Sequence, residues 1–133
     1  MEIIQEVANS INKRIKLTFE TPCNFKNEKL PVLDIQASIN VKEMNRIDFE
    51  FFEKETKNPF VILANSALSW SKKRTILTQE GLRRLRNTKM ELGPEVQNGY
   101  LNLFMLKLKR SGYNAKFRSE KADSIFKAYQ KMV

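Results

Sequence analysis

Three stretches in the first half of the chain alternate between apolar and polar positions. Apolar side chains fall at Ile15, Leu17 and Phe19, then at Leu33, Ile35, Ala37 and Ile39, then at Ile47, Phe49 and Phe51. The positions between them are mostly polar: Lys16, Thr18 and Glu20, then Asp34, Gln36 and Ser38, then Asp48 and Glu50. A period of two predicts strands with one buried and one wet face. Pro22 with Asn24 to Asn27, and then Asn40 to Asn45, supply turn chemistry suited to an antiparallel meander. Lys57-Asn58-Pro59 marks a further turn, and Phe60 to Leu63 is a candidate fourth strand. Ahead of these, Glu2 to Ile11 reads as a helix with Ile3, Ile4, Val7 and Ile11 on one side.

The period then changes to about 3.6. A helix is predicted from near Ser71 to Asn87, with Leu82 and Leu85 inward, Arg83, Arg84 and Arg86 around the remainder, and Gly81 weakening its middle. Pro94 opens a second helix with Glu95 in its first turn, and Gly112 stops it behind Lys107, Lys109 and Arg110. Tyr100, Phe104 and Leu108 stack one turn apart on it, with Leu101 and Met105 alongside. Ser119 is placed to cap a third helix with an apolar stripe at Ala122, Ile125, Phe126 and Tyr129. The expected class is α+β: an N-terminal helix, an antiparallel sheet of three to four strands, then a three-helix bundle. Residues 1–63 form the first part and 64–133 the second, packed as one unit without a low-complexity linker or internal repeat.

The composition narrows the chemistry. With 133 residues, 41% of them hydrophobic, and only four Gly and four Pro, the chain has the makings of one folded core. It contains no histidine and one cysteine, Cys23, so Ser-His and Cys-His pairs and a structural zinc site are excluded. A single cysteine, no signal-like segment and no long apolar run point to an intracellular place, nucleus or cytoplasm, with no membrane partner. Asp34 and Asp48 stand at even positions of their strands, where two carboxylates can hold Mg2+; pairing with a nearby lysine is the preferred reading. Ser66, Ser69 and Ser71 lack a base and read as turn and cap residues. No catalytic residue and no cofactor are expected.

Charge placement carries the functional expectation. Between Lys72 and Arg118 stand twelve basic residues against three acidic ones, Glu80, Glu91 and Glu95, so this segment holds the whole formal charge of +9. Such asymmetry favours a polyanion, here duplex or hybrid nucleic acid bound through phosphates. Lys72, Lys73 and Arg74 cluster at a helix start. Arg83 and Arg86 share a helix face, with pairing of Arg83 to Glu80 as the plainer alternative. Lys107, Lys109, Arg110, Lys116 and Arg118 lie at the end of the second helix and in the loop beyond it. Trp70 and Tyr113 are the aromatics expected to be partly exposed and able to stack on a base or sugar, although core packing is the plainer reading for both. A second class of function is a protein interaction module whose basic face meets an acidic partner.

The order of these features resembles the Penelope-like reverse transcriptases. Asn27-Glu28-Lys29-Leu30-Pro31-Val32-Leu33-Asp34-Ile35 is similar to the family's "PFLD" segment, with Val32 where Phe is usual. Ile47 to Phe52 and Lys57-Asn58-Pro59 resemble its next strand and Lys-Pro step. Asn65-Ser66 with Trp70 and Lys72-Lys73-Arg74, Gly81-Leu82-Arg83-Arg84-Leu85, and Lys109-Arg110-Ser111-Gly112-Tyr113 are similar to elements of its thumb. The likeness spans roughly residues 12 to 118. It implies a palm edge followed by a thumb that grips the primer-template backbone, either as a fragment of a larger polymerase or as a retroelement derivative. The family's metal-binding aspartates precede the "PFLD" segment, and no Asp occurs before Asp34. The resemblance therefore implies no polymerase activity for this chain alone.

Overall fold

A computed structural model describes residues 2–54 and 58–133. The chain is α+β, with α1 (Glu2–Ser10), β1 (Leu30–Val32), β2 (Ile35–Asn40), β3 (Arg46–Phe51), α2 (Trp70–Arg86), α3 (Pro94–Arg110) and α4 (Ala115–Gln130). The three strands form an antiparallel meander in the order β1-β2-β3, with Ala37 opposite both Leu30 and Phe49.

Two of the three alternating stretches form strands; the first does not. Ile15, Leu17 and Phe19 lie in a segment outside any helix or strand and are exposed. The Leu17 carbonyl accepts from Asn9 Nδ2 at 3.0 Å instead, which ties the segment to α1. Alternation is a necessary pattern, but a strand also needs a neighbouring edge. The short β1 at Leu30–Val32 takes that place in the sheet, and Leu33, expected within a strand, adopts φ +56° in the turn to β2. Phe60 to Leu63 is likewise not a strand. Lys57, in the expected turn, lies outside the described residues.

The expected burial of the odd-numbered face is also corrected. Phe51 is buried, but Ile39 and Ile47 are well exposed, and even-numbered Asp48 is buried. The reason lies in how the sheet docks. The edge of β3 meets the end of α2: Phe51 N–H donates to Thr88 Oγ1 at 3.2 Å, and Lys89 N–H donates to the Phe49 carbonyl at 2.9 Å. An edge docked in this way is protected without either face being fully covered.

Leu77, Leu82, Leu85, Leu101, Phe104, Leu108, Tyr113, Ile125 and Tyr129 form the core of the bundle. Cross-contacts run from Trp70 with Phe117, through Thr78 with Lys121, to Gly81 with Ile125, so α2 and α4 pack directly and in parallel, while α3 runs antiparallel to both. Gly81, which weakens the helix locally, permits this approach. A Cβ there would stand 3.0 Å from Ile125 Cγ1 and nearer still to its Cδ1. Gly112, at φ +95°, closes α3 in the conformation glycine favours. The last helix starts earlier than Ser119: Asn114 Oδ1 accepts the Phe117 N–H at 2.8 Å and caps it. Lys116 and Arg118 therefore belong to the first turn of α4, not to a loop. No helix among the described residues is long and apolar enough to cross a membrane.

Candidate nucleic-acid interface

Parallel α2 and α4, with α3 running against them, bring the starts of two helices and the basic end of the third to one end of the bundle. This end carries Lys72 and Arg74 from α2, Lys109 and Arg110 from α3, and Lys116 and Arg118 from α4. All but Arg118 are exposed. None forms an ion pair among the described residues, and Glu120 and Asp123 of α4 pair with none of them. Arg118 is partly buried and donates to the Tyr113 carbonyl at 3.1 Å. Beneath them Lys121, 8% exposed, donates to Thr78 Oγ1 and to the Arg74 carbonyl. Burial, with Arg74 close by, lowers its pKa.

Lys73 does not join this exposed set. It is 2% exposed, and its ammonium donates to the carbonyls of Ala64 at 2.7 Å and Ser66 at 2.8 Å. Its charge fastens the crossing segment 58–69 across the end of the bundle. Tyr113, a candidate for partial exposure, is buried at 3% in keeping with its plainer core-packing reading, and helps to hold the same segment by donating its hydroxyl to the Ile62 carbonyl. Burial raises its pKa. The Ser111 hydroxyl accepts the Val61 N–H, and the Ser111 carbonyl accepts the Ala64 N–H.

Of the other basic candidates, Arg83, Lys89 and Lys107 face the sheet and meet carboxylates. Arg83 bonds to Asp34 and Glu80, both at 3.0 Å, so the pairing reading describes it and a shared phosphate face with Arg86 does not form. Arg86 is exposed at the opposite end of α2. Lys107 donates to Glu53 at 2.6 Å. Lys89 pairs with Asp48 at 3.1 Å, and this bond, helped by Arg46 and Asn40, holds the Asp48 carboxyl below its ordinary pKa. Asp34 and Asp48 are thus each engaged by cations.

Arg84, expected with Arg83 and Arg86 around the part of α2 that does not face inward, enters the core. It is 3% exposed, with its guanidinium 4.5 Å from the Phe104 ring centre and 4.9 Å from that of Phe51. Glu80 and Glu53 balance its charge, while burial lowers its pKa. The buried cations had a sequence signal: Lys73, Leu77, Gly81 and Arg84 follow the spacing of one helix face, as do Phe117, Lys121 and Ile125.

Trp70 stands among the exposed cations, 48% exposed and in contact with Tyr113 and Phe117. No family model matches the chain, and searches of curated proteins and of solved structures find no match.

Proposed function

We propose that the chain grips nucleic acid through its phosphate backbone, without chemistry of its own, using the end of the bundle where α2, α3 and α4 deliver their unpaired cations. The observation that carries this reading is the convergence of Lys72, Arg74, Lys109, Arg110 and Lys116 with no carboxylate partner among the described residues. Like charges held this close repel one another until a polyanion arrives. The order of sheet and helices, resembling the palm edge and thumb of Penelope-like reverse transcriptases, supports the same role of holding a primer-template. Phosphate contacts carry little base information, so binding is independent of sequence.

With Arg118 included, six cations are available. Six neutralised phosphates predict roughly a thousandfold loss of affinity between 50 and 200 mM salt. An anisotropy titration of a short RNA–DNA hybrid checks this, and Lys72→Glu with Arg74→Glu abolishes binding at the lower salt. Absence of binding to hybrid, duplex and single strand at low salt rejects the reading and leaves an acidic protein surface as the ligand of this end.

A further inference from the structure

We infer that Trp70 is a stacking platform for an unpaired base, so that the basic end prefers a strand with at least one unpaired nucleotide over a fully paired duplex. This rests on the reading of that end as a nucleic-acid grip and specifies its ligand. Tyr113 is buried and Phe117 half-buried, whereas Trp70 keeps nearly half its surface in solvent.

The Trp70 ring is also held in place. Tyr113 meets it edge-on at 6.1 Å and 80°, Phe117 lies tilted at 5.7 Å, and Tyr113 and Phe117 stack on each other at 4.8 Å. The Lys73 ammonium, anchored by the Ala64 and Ser66 carbonyls, lies 4.8 Å from the ring centre. A ring braced in this way loses little freedom when a base settles on it. Arg74 lies one turn along α2 on the same side, and Lys116 adjoins Phe117, so cations for the neighbouring phosphates are within the same end. In a duplex both faces of a base are covered by its neighbours, and only an unpaired or terminal base has a face to offer.

Trp70 is the only tryptophan in the chain, so its emission reports the contact directly. Binding is followed independently by the anisotropy of a labelled ligand, using a single-stranded oligonucleotide, an abasic strand of equal length and a blunt duplex. The single strand is expected to quench the emission, the abasic strand to bind without quenching, and the blunt duplex to quench less. Trp70→Leu is expected to weaken single-strand binding by about 5- to 150-fold, the usual worth of one stacked base, and to leave abasic binding unchanged. Trp70→Phe retains part of the effect. Quenching in the unaltered protein keeps the test valid if a variant fails to fold. Equal affinity for abasic and base-bearing strands, no quenching at saturation, or equal quenching by the blunt duplex overturns the stacking inference while the phosphate grip stands. Failure of all three ligands to bind removes both.

Discussion

The side of the bundle that receives the sheet and the end that faces away from it are built with the same kinds of side chain in opposite circumstances. Where the sheet docks, Arg83, Arg84, Lys89 and Lys107 each meet a carboxylate from Asp34, Glu53 or Asp48. At the far end Lys72, Arg74, Lys109, Arg110 and Lys116 meet none among the described residues. The first half of the chain thus supplies acids that cancel part of the basic segment. Of the basic residues between Lys72 and Arg118 without a carboxylate partner among the described residues, all but Arg86 stand at that end, and a partner there has fewer residues to recognise than the raw charge suggests.

The contrast can be broken most severely at Arg84. Arg84→Ala removes the buried cation that Glu53 and Glu80 share, although Lys107 and Arg83 still meet them, and opens space between Phe51 and Phe104. It is expected to destabilise by roughly 3 kcal/mol, the low end for breaking a buried pair because both carboxylates keep some contact with water. Arg110→Ala is expected to change stability by no more than about 0.5 kcal/mol; urea unfolding of the two variants compares them. Lys73→Met tests whether this lysine is an anchor or a contact. Loss of its two carbonyl bonds predicts about 1.5–3 kcal/mol of destabilisation with no change in the salt dependence of binding. Gly81→Val tests the helix contact that brings the cations together. Overpacking against Ile125 is expected to lower stability by about 1–3 kcal/mol, and Ile125→Ala in the same chain to restore part of it.

The smallest effect is the response to acid. The carboxyl of Asp48 has a lowered pKa when folded, chiefly through its bond to Lys89. Its contribution is therefore complete above the ordinary carboxylate value of about 3.9 and is lost as the pH falls through the lower folded value. Asp48→Asn is expected to flatten the acid limb of a stability profile below about pH 4, whereas Lys72→Gln leaves that limb unchanged.

The helices of the second half were legible because their apolar spacing, Pro94 and Gly112 each have a local cause. The sheet was less so. The stretch from Ile15 to Phe19 has the same alternation as Ile47 to Phe51, and only the presence of a pairing edge separates them. Which basic residues remain available was hidden for a related reason: Arg83 and Arg84 meet carboxylates 49 and 31 positions earlier in the chain, Asp34 and Glu53, and local pattern holds no record of such pairings. Gly81 could be read only as a weak point in a helix until Ile125 was found against it.

The salt dependence of binding, measured one cation at a time, tests the central claim most directly. If the far end is the grip, Lys72→Gln and Arg110→Gln each reduce the slope of log affinity against log salt by about 0.7–0.9, the value of one phosphate contact on a single strand or a duplex. Arg83→Gln, whose charge is spent on Asp34 and Glu80, leaves the slope unchanged. A slope reduced as much by Arg83→Gln as by Lys72→Gln, or reduced by neither of the far-end substitutions, contradicts the account.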